Sequence, residues 1–249
     1  MSGHNKWSTI KRKKGAADAK RSKIFARIIK EIAIAIREGG NTDPETNPRL
    51  RLAIVNAKGV NMPKDNIERA ISKAEKDPSS FEAVTFEGYL PHGIAVVIEC
   101  LTDNNNRTVS FIRSIFNKRE GTLGTSGSLR FLFERKGVFT IPKKERDIDE
   151  FSLELIDAGA DDVEIQDDVF IVTTALEKFG PMQKKLEEMK VEAENAELKF
   201  IPNELKQLDT ALGAKILRII DEFEEFDDVQ AVYHNLDVTD EMVAAVDVS

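Results

Sequence analysis

The chain has 249 residues, 41% of them hydrophobic, and a formal net charge of −8. This length favours about two or three compact domains over one small core. The sequence has no run of about 18 apolar residues, which excludes a predicted membrane-spanning helix, and its single cysteine, Cys100, excludes an intramolecular disulfide.

The charges are distributed unevenly along the chain. Residues 1–76 contain 18 Lys and Arg against eight Asp and Glu, a net of +10, whereas residues 145–249 contain nine against 29, a net of −20. Such an asymmetry indicates a basic module that binds a polyanion, joined to an acidic module with another task. Because no apolar stretch follows the N-terminal charges, we predict no signal peptide, a cytoplasmic location and no membrane partner.

Residues 1–78 are predicted to form a basic helical domain. Apolar residues recur with helical spacing over 18–38, and two glycines end that helix. Asparagine and proline signals begin a second helix near residue 47 and a third near residue 61. The Asp-Pro-Ser-Ser break at 77–80 marks the predicted domain boundary.

A strand pattern replaces the helical one after this break. The predicted elements are strands at 81–88 and 94–101, a helix at about 104–118, and strands at 129–133 and 138–141 around a hairpin turn at 134–137. The glycines at 121–127 lead into a predicted strand. A phosphate loop leads into a helix, so we predict a flexible connection there and not a phosphate site.

The acidic part of the chain has the element order of a ferredoxin-like fold. It is predicted to contain a helix at 147–158, strands near 163–165 and 169–173, a helix at about 176–189 and a strand near 197–201. A helix at 212–226 and a strand at 229–235 follow, and would complete the preceding domain. We therefore expect an α+β multidomain fold, with an N-terminal helical domain followed by two α/β ferredoxin-like domains. The third (143–205) is inserted into the second (79–142 plus 206–249).

A cationic strip on the first helix is the strongest candidate site. At about 100° per residue, its cations lie within an arc of roughly 100°, opposite the isoleucines. Ten of the first 30 residues are Lys or Arg and one is acidic, whereas solvated helix faces usually mix both signs. Polyanion binding is therefore favoured. The predicted nucleic-acid-binding residues are Lys6, Trp7, Lys11, Arg12, Lys13, Lys14, Lys20, Arg21, Lys23, Arg27 and Lys30. Trp7 either stacks on a base or packs locally.

The strand-to-helix loop with Asp103, Asn104, Asn106 and Arg107 is a second candidate, as a possible partner-binding loop. Asp and Asn also cap helices, which is an alternative explanation for their presence. Arg107 would lie in the first helical turn, where the helix dipole disfavours a cation. This unfavourable position indicates that Arg107 has a partner.

The sequence offers little support for catalysis. Cys100 ends a predicted buried strand, where thiols are usually inert, and the three histidines have no zinc-ligand spacing. We predict a non-enzymatic protein with no catalytic residues, no metal, no cofactor and no small-molecule substrate.

Long sequence blocks between residue 3 and about residue 137 resemble the YebC/PmpR family of probable transcriptional regulators. These blocks are GHNKWSTIKRKKGAADAKRSKIF, NPRLRLAIVNAKGVNMPKDNIERAI, FEGYLPHG, ECLTDNNNRT and GTLGTSGSLRFLFERKG. The resemblance implies three domains, the third inserted into the second, and a DNA-binding regulator of transcription. Relatives include a mitochondrial translational activator. The alternative is therefore a ribosome-associated translation factor whose basic arm binds ribosomal RNA.

Overall fold

The computed structural model describes residues 18–76 and 81–247. Its helices are α1 (Asp18–Gly39), α2 (Pro48–Gly59), α3 (Lys64–Lys76), α4 (Asn105–Lys118), α5 (Ile148–Asp157), α6 (Phe179–Glu188), α7 (Thr210–Glu224) and α8 (Asp240–Asp247). Its strands are β1 (Glu82–Leu90), β2 (Ile94–Thr102), β3 (Thr122–Leu123), β4 (Phe133–Pro142), β5 (Asp162–Gln166), β6 (Val169–Ala175), β7 (Asn195–Pro202) and β8 (Val229–His234). None of these helices is long and apolar enough to cross a membrane.

The chain divides into two compact units. The first comprises Met1–Lys30, Ser79–Glu134 and Phe200–Ser249, and the second comprises Glu31–Pro78 and Arg135–Lys199. The division has one break after residue 78, where the sequence predicts a domain boundary, and another within α1, so the predicted domain 1–78 is shared between the two units. The three predicted domains therefore stay a prediction.

The first unit is built on a four-stranded antiparallel sheet of order β3-β1-β2-β8. Strand β2 is central and buried along nearly its whole length, as its unbroken apolar run predicts. Side chains of α4, α7 and α8 pack with those of the sheet in one core, among them Phe116, Phe223 and Met242. Helix α8 is an element that the sequence analysis did not predict.

The second unit contains the other four-stranded sheet, of order β5-β6-β4-β7. Its core joins residues of α5 and α6 to the sheet, including Phe139, Leu155, Phe170 and Met182. The order of elements from α5 to β7 is the one predicted for a ferredoxin-like domain. Strand β4, which was expected in the preceding domain, pairs with β6 in this sheet. In sequence, these strands lie between β3 and β8 of the first sheet. The fold is thus mixed α and β with two sheets, and the inserted arrangement stays a prediction.

One predicted hairpin is wrong. Residues 126–132 form turns instead of a strand, and the expected hairpin turn at 134–137 lies inside β4. The cause is a buried carboxylate on β1. Glu87, 8% exposed, accepts hydrogen bonds from the backbone N–H of Gly127 (2.7 Å) and of Leu129 (2.6 Å). These bonds hold the segment in turns although its apolar alternation is typical of a strand.

Replacing Glu87 should therefore destabilise the first unit. In Glu87→Gln the amide NH₂ group faces a backbone N–H, so one buried donor loses its acceptor, at a cost of about 1–3 kcal/mol. Urea unfolding of this variant, with the exposed Glu82→Gln on the same strand as control, measures the loss. Equal stabilities of the two variants would contradict the role of Glu87.

Candidate nucleic-acid interface

The predicted cationic residues fall into two groups. Lys6, Trp7, Lys11, Arg12, Lys13 and Lys14 lie outside the described residues, and of Lys20 only the backbone, within α1, is described. The side chains of Arg21, Lys23, Arg27 and Lys30 are described. Arg21 is exposed, and its guanidinium lies 5.5 Å from the centre of the Phe25 ring.

The other three described cations contact the end of α7. Arg27 donates to the carbonyl of Glu224 at 2.8 Å, Lys23 donates to the carbonyl of Glu225, and Lys30 donates to the carbonyl of Asp227 at 2.8 Å. The carbonyls of Glu224 and Glu225 lie at the C-terminal end of α7, which carries a partial negative charge, and that of Asp227 lies in the turn that follows. The described last turn of α7 contains no basic residue of its own. Helix α1 thus supplies the cations that this helix end requires.

Packing against α7 changes the electrostatics of the Lys23 ammonium group. The pKa of Lys23 is lowered, chiefly by burial and further by the positive charge of Arg27. The role of Lys23, Arg27 and Lys30 in nucleic-acid binding stays a prediction, and in this structure they hold α1 against α7.

Asp228 lies at the centre of this contact and is 3% exposed. One carboxylate oxygen accepts a hydrogen bond from Lys30 at 3.1 Å. The other accepts from Thr102 (3.1 Å), Arg107 (2.6 Å) and Thr108 (2.9 Å). Burial alone would raise the pKa of Asp228, but the hydrogen bonds, led by those from Arg107 and Lys30, lower it below the ordinary value for aspartate.

The possible partner-binding loop is also engaged within the chain. Asn104 caps α4 by accepting from the backbone N–H of Arg107 at 3.1 Å, as its residue type predicts. The guanidinium of Arg107 bonds both Asp103 (2.8 Å) and Asp228, and Asn106 is exposed. The unfavourable position of Arg107 in the first turn therefore has an intramolecular explanation. Nothing near Asp228 in the chain distinguishes it from its acidic neighbours, so its role is not predictable from the sequence.

Catalytic and metal sites have little support in the described residues. Cys100 is buried, and burial together with the negative charge of Asp228 raises the pKa of its thiol to about 12. Such a thiol is a poor nucleophile at neutral pH. Within residues 18–76 and 81–247, no group of three or more His, Cys, Asp or Glu side chains could hold a metal ion.

The family of the chain follows from comparisons with known proteins. Residues 5–77 match the model of the TACO1/YebC protein N-terminal domain, and residues 81–236 match that of the TACO1/YebC second and third domain. A probable transcriptional regulatory protein of Rubrobacter xylanophilus is 49% identical, with 99% of each chain covered. One of Bacillus subtilis is 48% identical, over 94% of this chain and 99% of its own.

A solved structure has the same fold as this chain. The crystal structure of a conserved hypothetical protein from Aquifex aeolicus superposes with a TM-score of 0.81 at 41% identity, covering 91% of this chain and 94% of the other. Both family models together span nearly the whole sequence, and the relatives match it from end to end. The family resemblance of the sequence blocks is thereby confirmed, and this chain belongs to the TACO1/YebC family.

Proposed function

We propose that this protein is a non-enzymatic regulator of gene expression that binds duplex DNA through phosphate contacts of its basic N-terminal segment. The observation that carries the proposal is the concentration of charge, with ten Lys or Arg and one acid among the first 30 residues of an acidic chain. Phosphate contacts supply most of the affinity of such segments and position a protein on its target.

The contacts of α1 separate the predicted cations into those that bind within the protein and those that we assign to phosphate contacts. Lys23, Arg27 and Lys30 bind the end of α7 and Asp228, so their charge is already compensated within the protein. We assign the phosphate contacts to the cations that precede them in sequence, which are Lys6, Lys11, Arg12, Lys13, Lys14, Lys20 and Arg21. The anchoring of α1 would then fix the position of the first turn of this helix, which contains Lys20 and Arg21.

The regulatory part of the proposal is supported by the relatives of the chain. Proteins that match it over nearly their whole length are named probable transcriptional regulatory proteins. A regulator of transcription must prefer its own sites, by a factor of at least about 10³, over random duplex. The large negative charge of residues 145–249 would help by repelling DNA from the rest of the protein.

Crosslinking in cells, followed by sequencing of the bound nucleic acid, tests the target of the protein. We expect the sequenced fragments to cluster upstream of genes. Competition of such a fragment against random duplex should then give a preference of about 10³ or more. Reads confined to ribosomal RNA would contradict transcriptional regulation and support the translation-factor alternative. A preference near unity would also contradict it.

A further inference from the structure

Phe131 is an exposed aromatic residue that the proposed phosphate contacts do not use. Its side chain is 70% exposed, whereas Leu129 and Phe133 on either side are buried at 1% and 5%. These two neighbours belong to a small core with Tyr233. The chain is therefore anchored on both sides of Phe131, which projects into solvent.

Hydrogen bonds fix the turn that carries Phe131. The carboxylate of Glu87 holds the backbone of Gly127 and Leu129, as described above. On the other side, Asn203 donates its backbone N–H to the carbonyl of Leu132 and its side-chain amide to the carbonyl of Phe131, each at 2.9 Å. A buried carboxylate is costly unless it is fully bonded, and here it serves to fix this turn. Because the backbone of this turn is already fixed, little backbone entropy is lost when the aromatic side chain binds a partner.

The chemistry around Phe131 suits a nucleic acid. Arg130 is the only charged residue in segment 121–133 and directly precedes Phe131 in the chain. It is exposed, and its side chain lies close to Gly127. Thr125 and Ser126 add exposed hydroxyl groups. An aromatic face stacks on a base, and a neighbouring guanidinium contacts a phosphate.

We propose that Phe131 is a stacking platform for an unpaired nucleobase and that Arg130 contacts the adjoining phosphate. This inference rests on the proposed nucleic-acid binding and extends it, since an intact duplex offers phosphates but no free base face. The same chemistry is available from single-stranded RNA and from the single strand of an opened DNA duplex.

The test uses the full-length protein and three oligonucleotides of one sequence, which are single-stranded RNA, single-stranded DNA and duplex DNA. A central 2-aminopurine in each single strand reports stacking through loss of its fluorescence. Phe131→Ala should bind the single strands about ten-fold more weakly, with the fluorescence loss abolished. Phe131→Trp should retain the single-strand affinity and the fluorescence loss. Neither substitution should change the affinity for the duplex. Leu153→Ala, which removes a 63% exposed apolar side chain from the second unit, is the matched control.

Each outcome decides between the proposals. A loss confined to RNA or to single-stranded DNA supports the stacking platform and identifies its source. Wild-type affinity of Phe131→Ala for all three ligands overturns it, leaves duplex binding standing and favours a protein partner at Phe131. An equal loss against the duplex also overturns it, because stacking requires a free base. If the wild type binds none of the three, this proposal and the proposed function both fail.

Discussion

Replacing Asp228 by alanine should lower the free energy of unfolding by about 2–4 kcal/mol. The substitution removes the acceptor of four side chains, which include the cations of Lys30 and Arg107. Lys30 is largely buried in this contact, with 15% of its side chain exposed, so its charge would lose its carboxylate partner in a poorly hydrated place and keep only carbonyl acceptors such as that of Asp227. Arg107 is half-exposed and can return to water, which keeps the expected loss below the largest values known for buried ion pairs.

The same carboxylate predicts a pH dependence. Because the pKa of Asp228 is lowered in the folded protein, its ionised form stabilises the fold. That stabilisation is complete above the pKa of an unfolded aspartate, about 3.9, and is lost as the pH falls through the folded value. The stability gap between the wild type and Asp228→Asn should therefore narrow as the pH falls below about 4. Asp227→Asn, an exposed neighbour with the same change in charge, is the control. A gap of equal size at pH 7 and pH 3 would contradict this account.

Replacing Lys11, Arg12, Lys13 and Lys14 by alanine should weaken duplex binding by roughly 10²- to 10³-fold at about 0.1 M salt. Each phosphate contact releases close to one condensed counterion, and this release is worth up to about ten-fold in affinity at that salt concentration. Fluorescence anisotropy with a labelled duplex gives the affinities. Far-ultraviolet circular dichroism checks that the variant is folded.

A matched control separates local contacts from net charge. Lys58, Lys64, Lys73 and Lys76 are exposed in the second unit, and their replacement by alanine removes the same four charges. This control should bind the duplex within a few-fold of the wild type. An equal loss of duplex affinity in both variants would show that binding depends on the overall charge and would contradict specific phosphate contacts by the basic segment.

The local elements of the fold were predictable because their signals are local. The isoleucine period of α1, the asparagine caps of α2 and α4 and the apolar run of β2 all depend on neighbouring residues. The turns at 126–132 were not predictable in this way. Alternation from Leu129 to Phe133 is typical of a strand, and the group that overrides it, Glu87, lies about 40 residues earlier in the chain.

In the candidate site too, local features were predictable from the sequence and long-range contacts were not. The helical projection of α1 correctly placed Lys23, Arg27 and Lys30 on one face, yet periodicity contains no information about what that face contacts. Their partners at the end of α7 lie about 200 residues away. For Arg107, the dipole argument indicated a binding partner, whereas the structure supplies an acceptor within the chain, Asp228, 121 residues further along. Long-range acceptors of this kind are recognised only once the fold brings them together.

The salt dependence of duplex affinity tests the central claim, phosphate contact by the N-terminal basic segment, most directly. Affinities of the wild type and of the four-alanine variant at positions 11–14 are measured from about 0.05 to 0.2 M salt and plotted on logarithmic axes. The account predicts a steep slope for the wild type and a slope shallower by about 3–4 for the variant, close to 0.9 for each lost contact. Parallel lines for the two proteins would contradict it.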